Sequence, residues 1–188
     1  INFILMAMLN RADIKAEPVL ICTTDNGIPV YPSRTVFNYL LAAVEIDGKQ
    51  ILLDATNKNT TQNILPLNTL NWTGRLIKSD GTSQEIEMAP KILSKNRVDM
   101  KAVIDANGKI SGRLRRQITD YEAFVFRGSK AGMNKENYLE QMESYLNGIQ
   151  ISNYSVDNGS DFSKPIVENF NFESDNHCEI IGSKMYIN

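Results

Sequence analysis

The run FNYLLAAVEIDGKQILLDAT, Phe37 to Thr56, ends near a carboxylate, Asp54, that has a partner across a turn. With Asp47 and Gly48 as a two-residue hairpin turn, Ile46 opposes Lys49, and counting outward pairs Leu41 with Asp54 and Tyr39 with Thr56. Tyr39 and Asp54 are then diagonal neighbours, about 7–8 Å apart between backbones and within reach of long side chains. A carboxylate so placed can orient an imidazole at position 39 and hold it in the tautomer of a general base. Position 39 is a tyrosine instead. A phenol of ordinary pKa near 10 stays protonated at pH 7 and lacks a second ring nitrogen, so it can donate to Asp54 but cannot serve as the base.

The other residues with chemical potential have plainer readings. Cys22 and Cys178 lie in different halves of the chain and form neither a metal-like spacing nor a disulfide framework, which leaves the redox compartment open. Cys22 reads as a small buried core residue. His177, the only histidine, reads as an exposed loop residue before the last strand. Arg113, Arg115 and Arg116 could bind an anion, yet Arg113 and Arg115 alternate outward on a strand and read as a solvated face. Trp72 could line a carbohydrate or peptide groove and reads as a partly buried anchor beside Leu70. No cofactor is implied.

The elements that must position Tyr39 and Asp54 follow from periodicity. INFILMAMLNRA places Ile1, Leu5, Met8, Leu9 and Ala12 on one stripe and predicts a core-facing helix. PVLICTT predicts a strand, followed by a loop with Asp25-Asn26-Gly27 and Pro29 to Ser33, and then the hairpin. One face of that hairpin, Leu40, Ala42, Val44, Ile46, Ile51, Leu53 and Ala55, is apolar and is expected to pack on the helix. The opposite face carries Tyr39, Glu45, Gln50, Asp54 and Thr56. RLIKS and SQEIEM predict a second hairpin around Asp80-Gly81, and a boundary is expected near Pro90.

Residues 91–188 open with a hairpin joined at Asn107-Gly108, with Val98, Met100, Ala102 and Ile104 expected inward on its first strand and Ile110, Leu114 and Ile118 sharing a face of its second. A polar, Gly-bearing stretch leads to a helix over KENYLEQMESYLNG, where Tyr138, Met142, Tyr145 and Leu146 share a face. IQISNYSV, KPIVENFNFE and EIIGSKMYIN predict three closing strands, whose tyrosines and phenylalanines read as core. The expected fold class is α+β: a helix on an antiparallel sheet over residues 1–90, then a mostly antiparallel β domain with a helix over 91–188.

Residues 1–90 carry 7 basic and 9 acidic groups and residues 91–188 carry 13 of each, so neither part has the basic excess that binding a polyanion requires. Nucleic acid is therefore not an expected partner. No apolar run approaches the roughly 20 residues of a membrane helix. The chain begins at Ile1 inside an amphipathic segment and reads as a fragment or processed product.

Taken together, a helix, a strand, a Pro-bearing loop and a hairpin of the form F-N-(His)…DGK…LDAT resemble the papain-like core of bacterial transglutaminase-like proteins. NILPL and LNWTGRL after LLDAT bring the likeness closest to multidomain exported members flanked by β-rich domains of unknown function. The resemblance covers roughly residues 1–90, the C-terminal part of such a core, and residues 91–188 resemble the domain that follows it. It implies a cysteine nucleophile opening the first helix, a histidine base and an aspartate that orients the base. By that likeness Asp54 matches the orienting aspartate, the histidine position falls on Tyr39, and the nucleophile would precede Ile1. The expectation is a non-catalytic module, a pseudoenzyme with a peptide or protein ligand, in a larger protein of the periplasm or cell surface. The alternative is a portion of an active thiol-dependent transglutaminase or peptidase whose cysteine lies upstream of residue 1.

Overall fold

The computed structural model describes residues 1–28, 35–130 and 133–187. Its class is α+β with antiparallel sheets, and the chain divides into two units, Ile1–Leu93 and Ser94–Asn188. The expected loop run Pro29 to Ser33 lies outside the described residues.

In the first unit, α1 (Asn2–Arg11) precedes β1 (Ala16–Ile21), β2 (Tyr39–Ile46), β3 (Lys49–Leu53), β4 (Thr73–Ile77) and β5 (Ser83–Glu87). The sheet order is β3-β2-β1-β4-β5. Asp47 and Gly48 both take left-handed backbone, at φ 52° and 71°, as the tight turn with matching twist requires. The β2–β3 register runs from Ile46↔Lys49 to Ala42↔Leu53, as the two-residue turn dictates. The second hairpin, β4–β5, closes with Gly81 at φ 84°.

Each face of this sheet has its own core. Ala42, Val44, Leu40, Ile51 and Leu53 pack with Ala16 under Met6, Leu5 and Leu9 of α1. Leu41 and Ala43, on the face that also carries Tyr39, join Val19, Ile21, Leu65, Leu76, Ile86 and Met88. The helix is rotated from the expected stripe: Ile1 and Met8 are exposed, while Asn2 and Met6 are buried. Phe3 and Ile4 are exposed as well, so the helix is apolar around most of its circumference and periodicity alone cannot choose its inner face. The choice is made by the buried polar residue Asn2, which must find hydrogen-bond partners inside.

In the second unit, β6 (Asn96–Ile104) and β7 (Ile110–Ile118) are followed by α2 (Asp120–Lys130), α3 (Lys135–Tyr145), β8 (Gln150–Asp157), β9 (Ile166–Ser174), β10 (Cys178–Ile181) and β11 (Lys184–Ile187). The main sheet has the order β6-β7-β9-β8, and β10–β11 form a separate ribbon. Helix α2 occupies much of the stretch expected to be a polar connection. It carries acidic Asp120 and Glu122 in its first turn and Arg127 and Lys130 in its last, a charge arrangement that suits the helix dipole. The final run is two strands rather than one, folded back at left-handed Gly182.

The inner face of the main sheet is covered over β7, β9 and β8, where Ile118, Ile166, Ala123 and Phe126 form one cluster and Ile110, Tyr154, Phe170 and Phe172 another. Tyr138 and Met142 of α3 join this packing, while Tyr145 is 86% exposed, contrary to its expected place on the inner face. Leu139 packs there instead. Strand β6 is an edge strand, and its expected inward residues Val98, Met100 and Ala102 are exposed, Met100 at 61%. Among the last strands Tyr154, Phe170 and Phe172 are core as expected, whereas Tyr186 is exposed.

Gly112 of β7 lies across from Phe172 of β9. A Cβ at Gly112 would collide with the carbonyl oxygen of Lys101 and sit 2.7 Å from the Phe172 Cζ. Gly112→Ala is therefore expected to destabilise the second unit by about 1–3 kcal/mol, the usual cost of forcing extra volume into a packed site. Urea unfolding followed by tyrosine fluorescence checks this, and an unchanged midpoint would show that the strands can shift to admit the methyl group.

Candidate functional site

Asp54 follows the last residue of β3 and is only 9% exposed. A buried carboxylate needs donors on both oxygens, and five groups supply them. Its Oδ1 accepts from the Thr56 N–H at 2.7 Å, the Thr56 hydroxyl at 2.6 Å and the Asn57 N–H at 3.2 Å. Its Oδ2 accepts from Asn2 Nδ2 and from the Tyr39 hydroxyl, both at 2.8 Å. The Oδ1 contacts are those of an aspartate turn, in which the side chain caps the backbone two and three residues on.

The expected hydrogen bond between Tyr39 and Asp54 is present, and two residues not assigned a role from sequence complete the network. Thr56 sits with its Oγ1 2.5 Å from the Tyr39 hydroxyl oxygen. Since the Thr56 hydroxyl proton is committed to Asp54, the single Tyr39 proton is aimed at both Thr56 Oγ1 and Asp54 Oδ2. Asn2 donates from Nδ2 to the Leu40 carbonyl at 2.6 Å and accepts the Ala55 N–H on Oδ1 at 2.7 Å. It thereby ties the first turn of α1 to both strands at the open end of the hairpin. The sequence signal for Asn2 was an amide placed just ahead of the apolar run Phe3 to Leu9, and for Thr56 it was the Asp-x-Thr spacing of a turn.

These contacts set the protonation states. Burial acts to raise the Asp54 carboxyl, but the hydrogen bonds from Thr56, Asn2 and Tyr39 outweigh it and hold the group below the usual carboxylate range. Burial pushes the Tyr39 hydroxyl up to about 12, with the Thr56 contact opposing and Asp54 adding to the rise. At neutral pH the site is an ionised carboxylate surrounded by donors, with a phenol that keeps its proton.

The remaining candidates lie elsewhere. Cys22 is buried, with its thiol 3.3 Å from the Gly27 carbonyl oxygen, in keeping with a core role. Trp72 is not a partly buried anchor: it is 63% exposed just before β4, with a left-handed φ of 48°. The neighbouring Asn71 takes the inner position, donating to the carbonyls of Cys22 and Gly27. Arg113 and Arg115 face outward, where Arg115 meets Asp99 at 3.9 Å, while Arg116 turns to the inner face and pairs with buried Glu168 at 3.3 Å. That partner occupies the cation. His177 is half-buried rather than exposed, its Nδ1 2.6 Å from Ser174 Oγ.

Ser174 and His177 border a cleft of about 410 Å³ in the second unit. Its walls include Met100, Ala102, Ile104, Leu114, Phe170 and Ile187, which explains why the inner residues of β6 are apolar yet uncovered. Among the described residues no cluster of three His, Cys, Asp or Glu side chains is arranged to hold a metal ion, and no helix is long and apolar enough to cross a membrane. No family model, curated protein or solved structure matches the chain.

Two expected outcomes test the network. Tyr39→Phe and Asp54→Ala should each destabilise the protein, Tyr39→Phe by about 1.5–3 kcal/mol because its acceptor is charged, and the double mutant should cost less than the sum by more than about 0.5 kcal/mol. Additivity in denaturant unfolding would show that the two side chains are not coupled. Because the folded-state pKa of Asp54 is depressed, its contribution is complete above the unfolded value near 4 and is lost as pH falls through the folded value. The stability difference between wild type and Asp54→Ala should therefore be constant near neutrality and shrink below about pH 4.

Proposed function

We propose that this chain is a non-catalytic module, a transglutaminase-like core with an appended β-rich domain, serving binding or architecture in a larger exported bacterial protein. The observation that carries the reading is the state of Asp54. Its oxygens are filled by Asn2, Tyr39, Thr56 and Asn57, and the side chain opposite it is a phenol whose proton stays in place to about pH 12. A carboxylate so engaged fixes the fold and has no imidazole to orient. The first turn of α1, position 39 and Asp54 converge at one place, as the family's layout would require, which supports a common ancestry. The apolar cleft of the second unit supports a binding role, since it offers a recess for apolar side chains of a peptide or protein ligand.

The same convergence favours one second reading, in which the intact protein carries a cysteine ahead of Ile1 and performs thiol chemistry on amide bonds. A base other than residue 39 would then be needed.

The test is an activity assay of the purified chain with a glutamine-containing peptide, with and without an amine donor. No transamidation or hydrolysis is expected. Turnover that is abolished by Asp54→Ala would overturn the proposal.

A further inference from the structure

One edge of the second unit's main sheet is open. Among the described residues β6 pairs with β7 alone, in the register Asn96↔Ile118 to Ile104↔Ile110. The bonds just beyond either end of that register fix its parity: the Asp105 N–H donates to the Lys109 carbonyl and the Thr119 N–H to the Lys95 carbonyl, both at 3.0 Å. Hydrogen-bonded pairs alternate along an antiparallel ladder, so Arg97, Asp99 and Lys101 bond to β7, while the N–H and C=O groups of Val98, Met100 and Ala102 point to the open side. Nothing among the described residues takes them.

Those same residues turn apolar side chains to the inner face, and Met100 and Ala102 stand in the wall of the cleft of about 410 Å³. The outer face differs. There Arg97 and Lys101 of β6 and Arg113 and Arg115 of β7 stand against one acid of these two strands, Asp99. Asp99 is already paired with Arg97 at 3.0 Å and with Arg115 at 3.9 Å, and Lys101 has no ion pair among the described residues. The other edge strand, β8, serves its own core: it bulges between Ser152 and Ser155, Asn153 takes a left-handed φ of 53° there, and the Tyr154 hydroxyl meets buried Glu168 at 2.6 Å.

We propose that β6 receives an extended peptide as an added antiparallel strand, with apolar residues entering the cleft at every second position and acidic residues between them facing Arg97 and Lys101. The inference rests on the binding role given above to the cleft, and adds the mode of binding and the chemistry of the ligand. Main-chain bonds to Val98, Met100 and Ala102 supply affinity for any sequence, the cleft selects apolar side chains, and the outer cations select acids. In an antiparallel pair the ligand residues that bond to β6 are those opposite Val98, Met100 and Ala102, so they are also the ones whose side chains face the cleft. The acidic residues turn their N–H groups to solvent.

The probe is a capped peptide of alternating glutamate and leucine, about seven residues long, added to the wild-type chain and followed by NMR shifts and amide hydrogen exchange. Saturable binding is expected, with exchange at Val98, Met100 and Ala102 slowed about tenfold or more, while Asp99 and Lys101, already bonded to β7, change little. N-methylation of the leucines should abolish binding, and N-methylation of the glutamates should not. The lysine–leucine counterpart should bind about tenfold more weakly at low salt. Equal binding of the leucine-methylated or the lysine peptide, or no slowing at the three amides, overturns the proposal. Slowing that needs no peptide and grows with protein concentration assigns the edge to a second copy and overturns it as well. Shifts at Leu114 and Phe170 without slowing at the edge overturn this mode and leave the binding role of the cleft standing, whereas no shift with any of the peptides removes the support for both.

Discussion

The first unit is organised by the need to keep one ionised carboxylate satisfied away from water. Asp54 could not stay charged at 9% exposure without donors, and each donor that reaches it fixes a different part of the chain. Asn2 sets the rotation of α1 and ties it to the hairpin, Tyr39 fixes the start of β2, and the Thr56 and Asn57 amides shape the turn that leaves β3. The apolar residues of α1 lie on several of its faces and do not by themselves single out an inward one. The polar network selects one.

The second unit repeats this logic with a different cast. Glu168 sits on the core face of β9 and draws in Tyr138, Tyr154 and Arg116 from three other elements. The two tyrosines serve twice, since their hydroxyls satisfy the carboxylate while their ring faces receive Lys130. A buried acid thereby brings aromatic surface and an amine together without any of them being adjacent in sequence.

What could be read from sequence was what local rules decide. The Asp47-Gly48 turn fixed a register, and a register fixes every side chain's face, so the approach of Tyr39 to Asp54 was legible before any tertiary contact. The helix face of α1 was not, because a helix apolar on most sides has no preferred inner stripe until Asn2 finds its partners. Helix α2 was hidden by Gly128 and by polar residues at its ends, although its charge order pointed to it. The alternation of β6 gave the right inner residues but not their exposure, since whether a helix covers an edge strand is a matter of tertiary arrangement. The cluster around Glu168 draws on residues from 116 to 168, and no spacing rule anticipates it.

The bulge in β8 has an effect beyond aiming Tyr154. The main sheet of the second unit ends in two edge strands, β6 and β8, and an open edge invites pairing with strands from other molecules. Along β8 the ladder is broken between Ser152 and Ser155, so an added strand would lose register partway along. Along β6 the outward positions Arg97, Asp99 and Lys101 alternate in charge, and a second copy laid on that edge would have to desolvate them or match them in one register. The sheet is thus closed to indiscriminate growth at both ends, which allows β6 to keep an uncovered apolar inner face without turning the unit into a seed for aggregation.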